Sequence, residues 1–145
     1  MIILDTNVLS AIMKPEDNPI VSSWLDRTDR AILTTTTPTI FEVRLGIELM
    51  AKGRKRRTLE AAFHIVMEEF TASEGRILPL DRQAAEMSGR IFAARKMRGV
   101  NIDLPDTMIA GIAVSRGLPI VTRNVRHFDD LAVTIINPWE HSARR

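Results

Sequence analysis

At roughly 100–200 residues per domain, a chain of 145 residues is a single domain, 1–145, with no room for a separate substrate domain. Hydrophobic residues make up 45% and charged residues 26%, close to the globular average, so a disordered, collagenous or coiled-coil chain is excluded. With no cysteine, disulfides, thiolate metal sites and a cysteine nucleophile drop out together. The net charge is only +2, but of the 20 basic residues 16 are arginine, whose planar fork matches phosphate better than an ammonium does.

In chain order, Ile2, Ile3 and Leu4 form a short apolar run that predicts a buried strand ending at Asp5. Met1 to Asp5 lacks the basic start of a signal peptide, so a cytoplasmic protein is expected. A helix over Thr6 to Met13 follows, then a loop marked by Pro15 and a second short helix from Pro19 through Trp24 and Leu25. Ala31 to Thr36 predicts a second strand. Thr37-Pro38 predicts an N-cap and first turn, opening a helix with Ile40, Val43, Ile47 and Met50 on one face and an end at Gly53. A helix over about Arg57 to Phe70, a strand over Ile77 to Leu80, and helices over Arg82 to Arg98 and Pro105 to Arg116 come next. Pro119 to Thr122 and Val133 to Ile136 complete the strands, and residues 141–145 are expected to fray. The longest apolar run, Met108 to Val114, has seven residues, against roughly 20 for a membrane-spanning helix. Short apolar strands alternating with helices predict an α/β fold: a mainly parallel central sheet in three layers, with helices on both faces.

In such sheets ligands bind beyond the carboxyl ends of the strands. Asp5 and Asn124 fall at such ends, Glu42 in the helix after the second strand, and Asp106 at the start of the helix before the fourth. Each has an ordinary structural reading. Asp5 fits an N-cap, Glu42 stands three residues after Thr39 as in a capping box, Asp106 suits a first helical turn, and Asn124 suits a turn. Gathered in one cleft, however, the carboxylates would repel. An oxygen-only acidic site of that kind is the chemistry of Mg²⁺ or Mn²⁺, while three histidines and no cysteine supply a zinc site poorly.

Five strings, in order, carry a resemblance: Ile3-Leu4-Asp5-Thr6-Asn7; Phe41-Glu42-Val43-Arg44-Leu45-Gly46; Pro105-Asp106-Thr107-Met108-Ile109-Ala110; Val121-Thr122-Arg123-Asn124 with His127-Phe128; and Ile136-Asn137-Pro138-Trp139. Together they resemble the PIN-domain family, and most of all the VapC-type ribonuclease toxins of bacterial toxin–antitoxin pairs. The resemblance implies a three-layer PIN-like fold and a metal-dependent endoribonuclease that leaves 5′-phosphate and 3′-hydroxyl ends. It assigns Asp5, Glu42 and Asp106 as ligands of Mg²⁺, with Mn²⁺ as a substitute. Asn124 stands where the family often has a fourth acid, lending a neutral oxygen and lowering the site's negative charge. Asp103 is the rival to Asp106, which directly precedes the apolar helix stretch as the family's acid does. Thr6 is expected to line the cleft, and Arg123 and Arg44 to contact phosphate. The resemblance further implies a homodimer, a VapB-like antitoxin covering the cleft, DNA contact only through that antitoxin, and transfer or ribosomal RNA as substrate.

Two basic stretches are candidates for a wider RNA footprint: Lys52, Arg54, Lys55, Arg56 and Arg57, and Arg90, Arg95, Lys96 and Arg98. For the first, a solvated loop and helix C-terminal charges are the structural alternative. Two other functions compete. A haloacid-dehalogenase-type Mg-dependent phosphatase also begins with an Asp after an apolar strand, but it needs a second acid at position 7, where this chain has Asn7, and a well-placed lysine. A PIN-like module that binds RNA or protein without cutting is the other, and Asn124 is the residue that favours it.

Overall fold

The computed structural model describes residues 1–140. Five strands form one parallel sheet: β1 (Ile2–Leu4), β2 (Leu33–Thr36), β3 (Ile77–Leu78), β4 (Ile120–Val121) and β5 (Ile135–Ile136), in the spatial order β3-β2-β1-β4-β5. Between them run α1 (Thr6–Ile12), α2 (Pro19–Asp26), α3 (Thr37–Glu48), α4 (Arg54–Thr71), α5 (Arg82–Met97) and α6 (Leu104–Arg116). Side chains of β1 alternate between two cores, as the two-residue period of a strand requires. Ile2 and Leu4 join Val8, Leu9, Trp24, Val43, Ile47 and Phe63 from α1 to α4. Ile3 points the other way, to Ile109, Ile112 and Phe128 on the side of α5 and α6. Burial on both faces explains why β1 reads as an unbroken apolar run.

From β1 the chain steps outward through β2 to β3, then returns past β1 to lay down β4 and β5. The order therefore reverses between β1 and β4, and it is outside the carboxyl ends at such a reversal that α/β sheets bind ligands. Local chemistry places the helices around that point. Asp5 caps α1 by accepting the Val8 N–H at 3.0 Å. Thr36 caps α3 by accepting the Thr39 N–H at 3.2 Å, and Asp103 caps α6 by accepting the Asp106 N–H at 2.9 Å. Gly117, at φ +64°, closes α6 in the left-handed conformation. Helices α5 and α6 pack closely because position 111 has no side chain: a Cβ on Gly111 would lie 1.9 Å from Ser88 Oγ and 2.6 Å from the Ala84 carbonyl oxygen.

The predicted elements all form, with shifted edges. Arg30–Ile32 is a short 3₁₀ turn rather than the start of β2, and its Ile32 is exposed. The cap of α3 is Thr36, one residue before the expected Thr37. Gly53 does not end α3, which stops at Glu48; it stands immediately before α4, which starts at Arg54 instead of Arg57. The expected fraying of 141–145 lies outside the described residues.

Candidate active site

Asp5 sits at the reversal point with 1% of its surface exposed. Its Oδ1 is used in capping α1, and its Oδ2 accepts the Thr122 hydroxyl at 2.5 Å from the end of β4. Capping and site membership therefore coincide in one carboxylate. Burial pushes its pKa from 3.8 up to about 6; the Asp106 and Glu42 charges add to the rise, while the bonds from Thr122 and Val8 oppose it.

Glu42 is half-buried on α3. The capping-box spacing to Thr39 is incidental, because Thr36 is the cap. Glu42 instead accepts the Thr6 hydroxyl at 2.5 Å from the first turn of α1. Burial raises its pKa, helped by the charges of Asp106 and Asp103 and opposed by the Thr6 bond. The side chain of Asp103 is engaged as the cap of α6, while Asp106 is left facing the other acids. Burial raises the pKa of Asp106 too, with Asp103 adding to it and His127 opposing. Three carboxylates thus converge from β1, α3 and α6 on one edge of the sheet, and the Asp106 charge opposes ionisation of the other two.

Each carboxylate is turned onto a protein donor. Asp5 has Thr122, Glu42 has Thr6, and Asp106 has the Nδ1 of His127. As the side chains stand, no group of three His, Asp or Glu among the described residues is arranged to hold a metal ion. The donor chemistry is nonetheless that of a hard cation: acidic, oxygen-only and short of positive charge.

Asn124 lies beside Asp5 through a shared hydroxyl, since its backbone N–H donates to Thr122 Oγ1 at 2.9 Å. Its side chain makes no cap on the 3₁₀ turn Val125–His127 that follows. Arg123 is exposed, with its guanidinium 5.1 Å from the centre of the Trp139 ring. Arg44 turns toward α4, bonding Glu60 at 2.7 and 2.9 Å and Glu48 at 3.4 Å, over the Phe63 ring. It is engaged in a salt bridge, the alternative to its expected phosphate contact.

Arg95 does not belong to an RNA-facing stripe. Arg95 is 5% exposed; it grips Asp130 with two 2.8 Å bonds, the His127 carbonyl at 2.6 Å and the Thr107 hydroxyl at 3.3 Å. Arg98 closes on Asp130 as well. Held first by Arg95, Asp130 has its pKa pulled from 3.8 down to about 2. This cluster fixes the turn that carries His127, and His127 holds Asp106. The sequence reading missed it, although Arg95 falls on the buried stripe of α5 with Ala84, Ser88 and Ile91, at spacings of three and four.

The model of the PIN domain matches residues 2–133. A protein named VapC ribonuclease Y4jK, from Sinorhizobium fredii, is 34% identical over 97% of this chain and 99% of its own length. The tRNA(fMet)-specific endonuclease VapC of Salmonella typhimurium is 30% identical over 94% of this chain and 96% of its own. A solved structure of DNA-bound VapBC from that organism superposes with a TM-score of 0.72 at 28% identity, over 95% of this chain and 99% of that one. The crystal structure of FitAcB from Neisseria gonorrhoeae gives a TM-score of 0.80 at 33% identity, over 96% and 99%. Similarity over essentially full length, joined to a five-stranded parallel sheet with its acids at the order reversal, means that this chain belongs to the PIN-domain family, in its VapC-type branch.

Proposed function

We propose that this protein is a metal-dependent endoribonuclease toxin that hydrolyses RNA phosphodiester bonds, leaving 5′-phosphate and 3′-hydroxyl ends, and is silenced by a VapB-like antitoxin. The observation that carries this reading is the convergence of Asp5, Glu42 and Asp106 at the carboxyl edge of the sheet, where the Asp106 charge raises the pKa of both Asp5 and Glu42. Those three residues would hold Mg²⁺ or Mn²⁺ in exchange for their hydroxyl and imidazole partners. Bound there, the cation would supply positive charge to the phosphate oxygens and the leaving alkoxide and would acidify an attacking water. Thr122 and Thr6 orient Asp5 and Glu42, His127 steadies Asp106, and Asn124 offers a neutral amide beside them. Attack by the RNA 2′-hydroxyl calls for an acid/base pair. Among the described residues a single imidazole, that of His127, reaches the acids, so the second member of such a pair is missing, which favours water as nucleophile and a 5′-phosphate product.

The basic cluster supports an RNA footprint. Arg54, Lys55 and Arg57 occupy the first turn of α4, the positive end of its dipole, where cations are disfavoured. Among the described residues only Arg56 has a local structural task there, bonding the Glu48 carboxylate and the Glu48 and Met50 carbonyls where α3 ends. Similarity to a relative named for tRNA(fMet) makes transfer RNA the first substrate class to test, with ribosomal RNA second. A homodimer in the cytoplasm, with DNA reached only through the antitoxin, completes the proposal; no helix among the described residues is long and apolar enough to cross a membrane.

The test is cleavage of total cellular RNA by antitoxin-free protein in Mg²⁺, Mn²⁺ or EDTA, beside Asp106→Asn purified identically. Discrete fragments with 5′-phosphate ends, lost in EDTA and in the variant, are the expected result. Asn124, a neutral residue that lowers the negative charge of the site, favours a second reading, RNA binding without turnover. That reading wins if RNA is bound but neither protein cuts it, and equal cutting by both would expose contamination.

A further inference from the structure

We propose that the recess formed by Asn7, Lys14, Arg123, Asn124 and Trp139 is a subsite for one RNA nucleotide adjoining the bond that is cut. Its phosphate would lie between Arg123 and Lys14 and its base against the Arg123–Trp139 stack. The proposal rests on the ribonuclease reading and deepens it. The recess has a volume of about 470 Å³, within the roughly 300–1,000 Å³ of small-molecule sites.

The state of Arg123 is the main argument. Arg44, Arg56, Arg95 and Arg98 each close on a carboxylate. Among the described residues Arg123 closes on an indole instead, at 5.1 Å. An aromatic face orients a guanidinium without neutralising it and leaves the N–H edge free for an anion. The indole is itself held: Trp139 packs against the core beneath α1 to α4, and its backbone N–H donates to Asn137 Oδ1 at 3.0 Å. Lys14, just beyond α1, has no ion pair among the described residues and adds a second cation. Among the described residues no carboxylate lines the recess, in contrast to the three acids next door.

Position joins the recess to the reaction centre. The Thr122 hydroxyl donates to Asp5 Oδ2 at 2.5 Å and accepts the Asn124 N–H at 2.9 Å, so Arg123 and Asn124 follow directly from the acid cleft. On the other side Asn7 follows Thr6, which bonds Glu42. A phosphodiester chain needs alternating handling of this kind: an acidic cleft for the phosphate that is cut and a cationic one for its neighbour. A flat guanidinium–indole stack flanked by amides suits an unpaired base, the feature by which proteins read single-stranded RNA. An acidic peptide would use the same cations but would have no use for the stack.

The experiment measures binding of unfractionated tRNA in EDTA, so that chemistry is silent, by the protein and by Arg123→Gln, Arg123→Lys and Lys14→Gln. Arg123→Gln is expected to weaken binding about tenfold at low salt and to reduce the slope of log affinity against log salt by about one. Arg123→Lys should restore the slope and stay several-fold weaker, because lysine keeps the charge and loses the planar stack. Lys14→Gln should show the slope change with a smaller loss. Parental affinity and slope in Arg123→Gln, in a protein that cuts RNA, would overturn the subsite and leave the ribonuclease reading standing. Hexaglutamate binding that depends on Arg123 while tRNA binding does not would assign the recess to an acidic peptide and overturn it too. A parent protein that neither binds nor cuts RNA would overturn both.

Discussion

The acidic cleft is held at its two ends by different physics. At the β1–β4 end Asp5 is buried among neutral partners, the Thr122 hydroxyl and the Val8 N–H, which fix the carboxylate without cancelling its charge. At the α6 end the support is ionic: Arg95 and Arg98 clamp Asp130, Arg95 also binds the His127 carbonyl, and the His127 ring holds Asp106. The pKa directions record the contrast, with Asp5 raised to about 6 by burial and Asp130 lowered to about 2 by Arg95. One end keeps its negative charge in reserve; the other uses a salt bridge to lock a loop. A site that must gather anions needs both, because carboxylates that repel one another are positioned only if the surrounding frame does not yield.

The comparison breaks most sharply at Arg95. Replacing it with methionine keeps an unbranched side chain but leaves Asp130 to Arg98 alone and takes the donor from the His127 carbonyl, bonded to Arg95 at 2.6 Å in the native protein. Arg95 is itself buried and would give up several bonds at once, and a hydrogen bond to a charged group is worth about 1.5–3 kcal/mol. Denaturant unfolding of Arg95→Met at pH 7 should show a loss of that order. A loss under about 1 kcal/mol, the usual worth of a surface pair, would show that the loop is held by packing alone and that the two ends do not differ.

The neutral end was far more legible in the sequence than the ionic one, and the reason is range. Asp5 closes an apolar run and caps the next helix three residues on, so strand, cap and acid can all be read from one stretch. Asp103 caps Asp106 over the same spacing, which leaves Asp106 available for the site. Glu42 was singled out by its place in the helix after the second strand, while its local signal misled: the Thr39 spacing mimics a capping box, yet its partner Thr6 is 36 residues away. Arg95 and Asp130 are 35 residues apart, and His127 and Asp106 are 21 apart. No period of helix or strand encodes such pairs. The edge of α4 was misjudged because glycine and a run of cations look like the end of a helix, whereas here they begin one.

The next effect concerns pH. Asp5 has a folded pKa of about 6 against an ordinary 3.8, so the folded protein holds that proton more tightly than the unfolded chain does. Stability contributed by this group is therefore full below about pH 4 and falls as pH rises to about 6, by about 3 kcal/mol at 1.36 kcal/mol per pKa unit. Asp130 has the opposite sign, its stabilisation being lost only as pH falls from 3.8 toward 2. Asp5→Asn keeps one oxygen for the Val8 N–H and sets an amide N–H opposite the Thr122 hydroxyl, which can turn to accept it, while removing the charge. Its unfolding free energy should be flatter than the parent's between pH 4 and 6 and higher at pH 7, with nuclease activity lost. An unchanged slope would mean that Asp5 carries no reserve of repulsion.

The smallest effect sharpens the contrast furthest. Thr122→Val deletes the hydroxyl that Asp5 Oδ2 accepts and on which the Asn124 N–H rests. The Asp5 pKa should climb above its native value, since the Thr122 bond is the largest influence lowering it. A hydrogen bond to a charged group is worth about 1.5–3 kcal/mol, against about 1 for a neutral one. The variant should thus lose more stability at pH 7, where Asp5 is ionised, than at pH 4, where it is protonated. Arg95→Met should also lose less as the solution is acidified, but only below pH 4, where Asp130 takes up its proton. Unfolding both variants at pH 7, 4 and 2.5 separates the two ends by the pH at which each penalty shrinks. Equal loss in Thr122→Val at pH 7 and 4 would mean that the hydroxyl serves the Asn124 backbone and not the charge on Asp5.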